Sequence, residues 1–562
     1  MLRNSRTRCM AMLTILFFIC CSGLVAQEYK AYWEMPAYSI SAEDSIFLDQ
    51  LQQDTFNWFW EKAHSSTGLN PDRAADNSTS NAHISIASVG FGLTACGVGA
   101  ERGFVSRIQA AERVDKVLRT LLRGTMGSES TGHVGYRGWY YHWLDANSLS
   151  RTWNSELSSI DTALLMLGVI FVRNYFDDPN DALETAIRDS ASVMLERVDW
   201  RFMRNPNTRG ISGGWFPEDG FINWEYRGYN EAMLLYILAI GGDLNPLSES
   251  SWGFWKGGYR YESTDYFVHP FITFSPLFGH HYPHAWIDFR EIYNKELELL
   301  GEKYDYFENA RRATYASRAY AIANPKNWPN YGPDEWGLTA CDGPRNFGFN
   351  GYMARGASGQ NIVDDGTIAP TAAGGSIAYA PEIVIPMLRQ LKDKYGSKLY
   401  GNYGFRDAFN DSVNWFDNDY IGIDQGPILL MIENLRSGMV WEVMKRDPII
   451  VRGLQRAGFS GGWLETTSVQ EEAELPADFG LQNYPNPFKT GTTIQFHLKK
   501  AQAARLEIFN VRGQKISTAI DKNLSAGQYK ITWRPDALPT GMYWARLVAG
   551  KSAKTLKLLY LR

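Results

Sequence analysis

The sequence predicts a large all-α domain, packed as an α/α toroid of helical hairpins, followed by a small C-terminal β-sandwich. From about residue 43 to about residue 460, apolar side chains recur at helical spacing. The segments between these stretches are long, rich in glycine and aromatic residues, and contain no strong strand pattern. Beyond residue 467 the apolar side chains instead alternate with polar ones, as they do in strands.

The helical domain is expected at residues 27–466, with roughly ten to twelve helices. A toroid is the expected package because each helical hairpin must bury one face against its neighbours. The helical stretches are SIFLDQLQQDTFNWFWEKA, RIQAAERVDKVLRTLLRG, SSIDTALLMLGVIFVRNYF, DALETAIRDSASVMLERV, NEAMLLYILAIGG, YFENARRATYASRAYAIAN, SIAYAPEIVIPMLRQLKDKYG and GPILLMIENLRSGMVWEVMKRD.

The C-terminal part consists of a predicted linker at 467–480 and a β-sandwich at 481–562. The linker is acidic and contains proline, as in TSVQEEAELPADFG. Turn signals such as VRGQ, SAGQ and LPTG separate the strand-like runs. This domain has no cluster of carboxylates among glycine and aromatic residues, so we assign it no chemistry. Its strand-like runs are TTIQFHLK, ARLEIFNV, YKITWRP, MYWARLVAG and KTLKLLYL.

The N-terminus has the pattern of a signal peptide over residues 1–26. A basic start precedes the apolar run MAMLTILFFICC, which is too short for a confident membrane span. A lipoprotein signal is the alternative because Cys20 and Cys21 lie here, but the residues that follow fit ordinary cleavage better. After cleavage only Cys96 and Cys341 remain, and their pairing cannot be deduced from sequence.

Composition excludes some classes of partner and favours another. The net charge of the 562 residues is −5, so the chain lacks the basic character of a nucleic-acid-binding protein. Hydrophobic residues make up 44% and charged residues 21%, which is typical of a globular protein. The 19 Trp, 30 Tyr and 29 Phe residues fit either a large core or stacking on the flat faces of sugar rings.

Five segments place carboxylates among glycine and aromatic residues, nearly all at helix starts or in long loops. Each acid alone is explained as a helix cap, a turn residue or a hydrogen-bond anchor. If the inner helices of a toroid start at one end, their N-termini converge on one acidic, aromatic cleft. Such a cleft suits an uncharged, polyhydroxylated ligand. The segments are WNSELSSIDTALL, FINWEYRGYNEAMLL, GPDEWGLTACDGP, NIVDDGTIAPTAA and GIDQGP.

Two of these acids fit the pair that glycosidases use, one to protonate the leaving oxygen and one to activate water or attack the sugar. Glu231 is the candidate acid: we expect it to open a helix capped by Asn230, with aromatic residues crowding it. A helix N-terminus lowers a carboxyl pKa, so desolvation or another carboxylate must prevail for Glu231 to be protonated. Asp424 is the candidate base, which the helix dipole would keep ionised. Its structural alternative is capping, because Gly426-Pro427 is expected to mark the turn into the following helix.

Seven motifs, in order across most of residues 45–455, resemble the bacterial glucoamylase-like domain family: ELSSIDTALL, YNEAMLLYILA, HHYPHAWIDFR, EWGLTACDGP, DDGTIAPTAA, FRDAFN and DYIGIDQGPILLMIENLRSGMVW. That family includes the endo-β-1,2-glucanases of glycoside hydrolase family 144, and a related domain occurs in cyclic β-1,2-glucan synthases. The resemblance implies an (α/α)₆ toroid and an inverting attack on β-1,2-glucan. It places Glu231 at the acid position and Asp424 at the base position. The HHYPHAW and TACDGP segments depart from the common family pattern and leave the glucan linkage open.

The same resemblance implies a set of sugar-binding residues in the cleft. These are Glu156, Asp161, Trp224, Tyr229, His281, His284, Trp286, Asp288, Arg290, Glu335, Trp336, Asp342 and Asp365.

The tail is similar to the C-terminal sorting domains of the type IX secretion system, which are related to immunoglobulin-like modules. The matching segments are LQNYPNPFKTGTTIQFHL, LEIFNVRGQKI, LSAGQYKITWRP and LPTGMYWARLVAGKSAKTLKLLYLR, which cover essentially all of residues 480–562. The resemblance implies export through the periplasm and outer membrane, with release or surface attachment. A plain carbohydrate-binding or spacer sandwich is the alternative.

We expect a secreted, monomeric glycoside hydrolase that cleaves a β-glucan, with inverting endo-β-1,2-glucanase activity as the favoured prediction, and without a cofactor or metal. His280, His281 and His284 do not have the H-E-x-x-H spacing of a zinc protease. An exo-acting or α-glucan-directed hydrolase and an inactive surface glycan-binding protein stay open. A polysaccharide lyase is disfavoured because the acidic loops would repel a polyanion.

Overall fold

The computed structural model divides the chain into two compact units, Met1–Glu465 and Thr466–Arg562. The predicted signal peptide (1–26) and linker (467–480) lie outside the described residues. Among those residues, no helix has the length and apolar character needed to cross a membrane. The structure describes residues 29–78, 82–301, 303–345, 351–359, 362–465, 481–498, 501–510, 514–525, 527–535, 538–549 and 552–561.

The first unit is dominated by helices, which confirms the predicted all-α character. In the described part of this unit the α-helices are α1 (Ala42–Glu61), α2 (Ile86–Glu101), α3 (Arg107–Arg123), α4 (Ser159–Tyr175), α5 (Ala182–Arg197), α6 (Met233–Gly241), α7 (Glu249–Lys256), α8 (Phe278–Trp286), α9 (Tyr306–Ala323), α10 (Pro370–Gly374), α11 (Pro381–Tyr395), α12 (Gly422–Arg436), α13 (Met439–Met444) and α14 (Pro448–Arg456).

Helices that are buried on nearly every side alternate along the chain with helices that bury one face. The buried ones are α2, α4, α6, α8, α10 and α12. A helix that is apolar all round belongs in an interior, whereas α3 has the one-sided pattern of a surface helix. Helix α2 contacts α4, α4 contacts α6, α6 contacts α8, α8 contacts α12, and α12 contacts both α2 and α10.

Two glycines allow the close approach of α2 and α4. A Cβ on Gly90 would lie 2.3 Å from the Leu164 carbonyl oxygen, and one on Gly168 would lie 2.2 Å from the Gly90 carbonyl oxygen. A third glycine, Gly426, packs α12 against Phe91 of α2, where a Cβ would lie 2.2 Å from the ring. These positions bring the N-terminal ends of three buried helices together.

The connections between helices contain short antiparallel strands that the sequence pattern did not indicate, because most of them have only two or three residues, too few to show alternation. The paired sets are β1–β18, β2–β5–β6, β3–β4, β7–β8–β9, β10–β11, β12–β13, β14–β15 and β16–β17. Their bounds are β1 (Arg73–Ala75), β2 (His83–Ser85), β3 (Gly135–Tyr136), β4 (Trp139–Tyr140), β5 (Trp143–Asp145), β6 (Ser150–Arg151), β7 (Leu157–Ser158), β8 (Gly214–Phe216), β9 (Gly220–Phe221), β10 (Tyr261–Thr264), β11 (Phe267–Ile272), β12 (Ala340–Cys341), β13 (Met353–Ala354), β14 (Tyr400–Gly401), β15 (Gly404–Phe405), β16 (Phe409–Asn410), β17 (Trp415–Phe416) and β18 (Asp419–Ile421).

The second unit is all-β, as predicted. Strands β19–β20–β23 form one antiparallel sheet and β22–β21–β24–β25 another. Burial alternates strictly along β20, so one face of its sheet is covered. Buried side chains of both sheets, such as Phe496 and Leu506, belong to one core. The bounds are β19 (Gln482–Tyr484), β20 (Thr492–Leu498), β21 (Gln502–Asn510), β22 (Lys515–Leu524), β23 (Gly527–Trp533), β24 (Gly541–Ala549) and β25 (Ser552–Tyr560).

Candidate active site

A cleft of about 830 Å³ opens in the helical unit and has an acidic, aromatic wall. The antiparallel pair β1–β18 brings Arg73 and Asp419 to one side of it. Strand β12 ends at Cys341, so Asp342 follows directly into the cleft wall. The lining residues are Asp72, Arg73, Trp143, Trp153, Asp342, Gly343, Pro344, Arg345, Tyr352, Val413, Asn414, Trp415, Asp417 and Asp419.

Glu231 lies in a turn before α6 and does not open the helix as the sequence suggested, because α6 begins at Met233. Asn230 Oδ1 accepts a hydrogen bond from the Ala232 N–H at 3.0 Å, within the turn and ahead of the helix. The Oε2 atom of Glu231 is buried without a hydrogen-bond partner. Burial, reinforced by the nearby Asp161 carboxylate, raises the pKa of Glu231 to about 7. Desolvation therefore prevails, and Glu231 can hold a proton near neutral pH.

His142 joins two of the predicted sugar-binding acids, Glu156 and Asp161. Its Nδ1 lies 2.9 Å from Glu156 Oε1, and its Nε2 lies 3.5 Å from Asp161 Oδ2. Burial opposes the imidazolium, but the two carboxylates outweigh burial and raise the pKa of His142 to about 9. The Trp143 ring stacks on the imidazole, with ring centroids 3.6 Å apart. A cation thus lies between the two acids on the Glu231 side of the site.

Asp424 is the third residue of α12, which begins at Gly422. The expected turn at Gly426-Pro427 is therefore wrong, since both residues lie inside the helix. Asp424 is only 2% exposed, and its Oδ2 has no hydrogen-bond partner. Burial raises the pKa of Asp424 to about 7, against the lowering effect of a hydrogen bond with Asp407. The helix dipole alone does not set the charge of this group, contrary to the sequence-based expectation.

Asp407 is a buried acid that sequence reasoning did not select. It lies between β15 and β16, is 1% exposed, and hydrogen bonds to Asp424 through its side chain. Its Oδ2 accepts a hydrogen bond from the Asp342 N–H at 2.7 Å. Asp342 Oδ2 in turn pairs with Arg73 Nη1 at 2.5 Å. The signal was available in the motif FRDAFN, whose only acid is Asp407.

Tyr282 lies close enough to both candidate catalytic acids to be affected by their charges. Burial raises the pKa of its phenol well above the usual range, and the carboxylates of Asp424, Glu231 and Asp161 act in the same direction. Tyr282 belongs to HHYPHAW, the segment from which only the histidines and Trp286 were selected. Glu231 and Asp424 therefore both lie in the neighbourhood of this tyrosine, although neither acid is among the residues that line the cleft.

His281 and His284 do not line this cleft, and their role in sugar binding stays a prediction. Both are buried, and His281 Nε2 lies 2.9 Å from the hydroxyl of Ser376. Burial lowers the pKa of His281 to about 3 and that of His284 well below its usual value. These neutral imidazoles form part of the packing around α8.

Trp286, Asp288 and Arg290 lie at or beyond the C-terminal end of α8 and do not line this cleft, so their role in sugar binding also stays a prediction. Trp286 is fully buried, and its Nε1 donates to Thr94 Oγ1 at 2.9 Å. Asp288 and Arg290 pair with each other at 2.8 Å, and Asp288 also pairs with Lys445.

Glu335 and Trp336 do not line the cleft either. Glu335 pairs with Lys394 and accepts a hydrogen bond from the Tyr395 hydroxyl at 2.8 Å. Trp336 is fully buried. Their side chains take part in packing and internal pairing, and their role in sugar binding stays a prediction.

Asp365 is not part of the cleft wall but is linked through Arg355 to the strand that precedes Asp342. It pairs with Arg355 at 2.9 Å, and neither side chain is exposed. Arg355 also donates to the Cys341 carbonyl oxygen at 2.5 Å. Asp365 therefore fixes the strand end that carries Asp342, without contacting the cleft itself.

Tyr229 and Trp224 flank the turn of Glu231 but do not line the cleft. Tyr229 is buried, with its ring packed on Tyr306 and His280. Trp224 is 52% exposed and packs edge-on against Tyr226. Of the predicted sugar-binding residues, Asp342 is the one that the cleft wall includes.

Two groups of side chains in the described residues bring three ligand-type atoms within 4.8 Å: His142, Glu156 and Asp161, and Asp342, Asp407 and Asp417. The first group already contains the cationic imidazole. In the second, Arg73 compensates Asp342, and backbone N–H groups bond to Asp407 and Asp417. We assign a metal to neither group.

The two remaining cysteines are separate buried thiols. Cys96 and Cys341 are both free. Burial raises the pKa of Cys96 to about 12 and that of Cys341 well above its usual value, so neither has thiolate character.

Comparison with known proteins identifies both units. Residues 223–448 match the family model described as "Putative glucoamylase", and residues 482–560 match the "Secretion system C-terminal sorting domain". A putative glucoamylase from Bacteroides uniformis is 32% identical, with a TM-score of 0.66, and the match covers 76% of this chain and 99% of that one.

Two further relatives have named activities. The endo-beta-1,2-glucanase from Chitinophaga pinensis, solved with sophorotriose and glucose, is 27% identical with a TM-score of 0.67, and the match covers 75% of this chain and all of that one. The exo beta-1,2-glucooligosaccharide sophorohydrolase (non-reducing end) of Parabacteroides distasonis is 28% identical over 443 residues, 74% of this chain. The chain spans 58% of the length of that curated relative.

Proposed function

Because the chain belongs to the family described as "Putative glucoamylase", we propose that it is a secreted glycoside hydrolase that cleaves β-1,2-linked glucan by inversion. The two relatives with named activities both act on β-1,2-glucans. The observation that supports the proposal most is that Glu231 and Asp424, whose pKa values burial raises to about 7, both lie near Tyr282.

The two acids would divide the reaction as in other inverting glycosidases. Glu231 donates its proton to the leaving glycosidic oxygen as the C1–O bond breaks. Asp424 accepts a proton from the water whose oxygen attacks C1 from the opposite face. Each turnover leaves Glu231 ionised and Asp424 protonated, and exchange with solvent restores both. Raised pKa values near 7 suit an acid and a base that operate around neutral pH.

The acidic, aromatic wall is suited to sugar. Trp143 and Trp153 line the cleft, and aromatic rings pack on the flat faces of pyranoses. Asp72, Asp342 and Asp419 offer hydrogen-bond acceptors for sugar hydroxyls. An acidic wall would repel a uronate polymer, which argues against the polysaccharide lyase alternative.

We also propose the finer architecture and the route of export. The six buried helices would form the inner ring of an (α/α)₆ toroid, and the two C-terminal sheets an immunoglobulin-like sandwich. The C-terminal sorting domain indicates type IX export to the cell surface or beyond. Domain boundaries at 1–26, 27–466, 467–480 and 481–562, passage through periplasm and outer membrane, and a monomeric state complete the proposal.

Product analysis tests the function and its mode. The full chain is incubated with linear β-1,2-glucan and, in parallel, with laminarin, lichenan and soluble starch. Short β-1,2-linked oligosaccharides of mixed length indicate endo action, whereas release of disaccharide alone indicates exo action. Release only from starch would move the substrate to α-glucans. Binding to a glucan without release from any polymer would favour the glycan-binding alternative.

A further inference from the structure

An unusual feature of the Asp424 side is its buried, unpaired carboxyl oxygens. If all acids there were ionised, Asp407 Oδ1, Asp417 Oδ2 and Asp424 Oδ2 would lack hydrogen-bond partners. The carboxyl groups of Asp407 and Asp424 are neighbours, so a hydrogen bond between them would give a partner to one buried oxygen of each acid. Two ionised carboxylates cannot form this bond, because each only accepts hydrogen bonds. The unpartnered oxygens therefore favour a proton on one acid of the pair.

The surroundings favour the proton on Asp407. Its neighbours Asp342 and Asp424 are acids, so a negative charge on Asp407 would meet two like charges while buried. Asp424 lies in the first turn of α12, where the helix dipole favours a negative charge. The Arg73 guanidinium acts on Asp424 in the same sense. The ionised member of the pair is thus Asp424, the candidate base.

We propose that Asp407 is a positioning residue that holds a proton on Oδ1 and donates it in a hydrogen bond to Asp424, which keeps Asp424 ionised and oriented. The other oxygen of Asp407 is fixed by the Asp342 N–H, so the carboxyl group bridges the end of β12 and the start of α12. Its pKa lies well above the usual range because of burial and the Asp424 charge, which agrees with this geometry.

The inference rests on the proposed function only for its catalytic consequence, since the shared proton is a property of the folded protein. Several titratable or charged groups face the pair and must be considered when pH profiles are read. They are Arg73, Tyr282, Cys341, Asp342, Tyr352 and Asp417.

The test compares Asp407→Asn with Asp407→Leu in the full chain. The amide of Asp407→Asn reproduces both hydrogen bonds, because its oxygen accepts from the Asp342 N–H and its NH₂ donates to Asp424. We expect kcat on β-1,2-glucan to stay within about threefold of wild type, as a donor to Asp424 remains. Asp407→Leu removes the donor and should lower kcat roughly 10- to 100-fold. Asp115→Asn, which alters a surface acid paired with Arg119, is the matched control and should leave kcat unchanged.

A second measurement is independent of activity. A carboxyl group whose pKa is raised in the folded state makes the protein less stable as pH rises from its unfolded value, about 4, through its folded value. The melting temperature of the wild-type protein should therefore fall relative to that of Asp407→Asn as pH increases over that interval. Asp115→Asn should show no such pH-dependent difference from wild type. This measurement does not depend on Asp407→Leu and can be made even if that variant fails to fold.

The outcomes separate the inference from the proposed function. A folded Asp407→Asn variant as inactive as Asp424→Asn would overturn the inference, because Asp407 would then act as an ionised carboxylate. If added Ca²⁺ restored the stability or activity of the Asp407→Asn variant, the inference would also be overturned, because the acids would then form a cation site. A difference in melting temperature between wild type and Asp407→Asn that did not change with pH would also contradict the inference. If the wild-type protein had no glucanase activity, only the proposed function would be contradicted. The melting measurement would still show whether Asp407 carries a proton.

Discussion

The N-terminal ends of α6 and α12 present the two candidate catalytic acids in different local settings. Glu231 stands in a turn before α6, while Asp424 lies inside the first turn of α12. The dipole should therefore favour ionisation of Asp424 more than that of Glu231. Burial raises the pKa of both to about 7 all the same. Desolvation is thus the main cause of the raised pKa of each acid, and neighbouring groups must distinguish the acid from the base.

Those neighbouring groups differ. Near Glu231, the imidazolium of His142 pairs with Glu156 and Asp161, while the Oε2 atom of Glu231 has no hydrogen-bond partner. Near Asp424, a carboxyl group and the Arg73 guanidinium both favour the charged form. One side thus retains a proton and the other side receives one, although burial raises the pKa of both acids.

The largest effect is expected from removing either acid. Glu231→Gln and Asp424→Asn should each lower kcat on β-1,2-glucan by roughly 10²- to 10⁴-fold, the usual contribution of general acid–base catalysis. Reducing-sugar release measures this effect, with thermal unfolding to verify the fold. Glu225→Gln is the matched control, because Glu225 lies in the same segment but bonds to Asn205 and Thr208. Full activity of Asp424→Asn with only a lower melting temperature would reduce Asp424 to a helix cap.

A substitution in α12 should disturb the Asp424 side alone. A Cβ on Gly426 would lie 2.2 Å from the Phe91 ring, so Gly426→Ala must shift α12 or the ring. Overpacking of this kind lowers the free energy of unfolding by about 1–3 kcal/mol. We expect a lower melting temperature and reduced kcat, while the alkaline limb of the pH–rate profile, which reports Glu231, stays in place. Gly253→Ala is the control, since a Cβ there meets no atom within 4 Å. If both limbs of the pH–rate profile moved in Gly426→Ala, the Glu231 side and the Asp424 side would not be independent.

The pH profile should sharpen the assignment of the acid. Glu231 must be protonated to act, so kcat/KM should fall as pH rises through about 7. The Asp161 carboxylate is one cause of the raised pKa of Glu231, so Asp161→Asn should move this alkaline limb to lower pH. The shift should be modest, because burial is the larger cause. An alkaline limb that stays fixed in Asp161→Asn would assign it to another group.

The smallest effect is expected at Arg73. Its guanidinium lowers the pKa of Asp424, so Arg73→Gln should move the acidic limb of the profile to higher pH. The limb reports the base because Asp424 must be ionised to accept a proton. The same variant removes the pairing with Asp342 and should raise KM slightly if that residue contacts sugar. An acidic limb unmoved by Arg73→Gln would separate Asp424 from the groups that control activity.

The sequence located the acids but not their surroundings. Helical period and carboxylates at helix starts identified Glu231 and Asp424, because those signals are local. The start of α12 was misplaced because Pro427 was interpreted as a first-turn residue, whereas five helical residues precede it. Long-range contacts such as His142 with Asp161, or Asp407 with Asp424, have no local pattern. The motif HHYPHAW led to the assignment of two of its histidines and Trp286 to sugar, whereas no local pattern indicates that Tyr282 lies near Asp424 and Glu231.

The central claim is that Glu231 protonates the leaving oxygen while Asp424 activates water on the opposite face of a β-1,2-linked glucose. Proton NMR of the first products released from linear β-1,2-glucan by the full chain tests it most directly. The account predicts a new reducing end that appears as the α-anomer and mutarotates afterwards, with no such signal from Glu231→Gln. Initial release of the β-anomer, or undiminished release by Glu231→Gln, would contradict it.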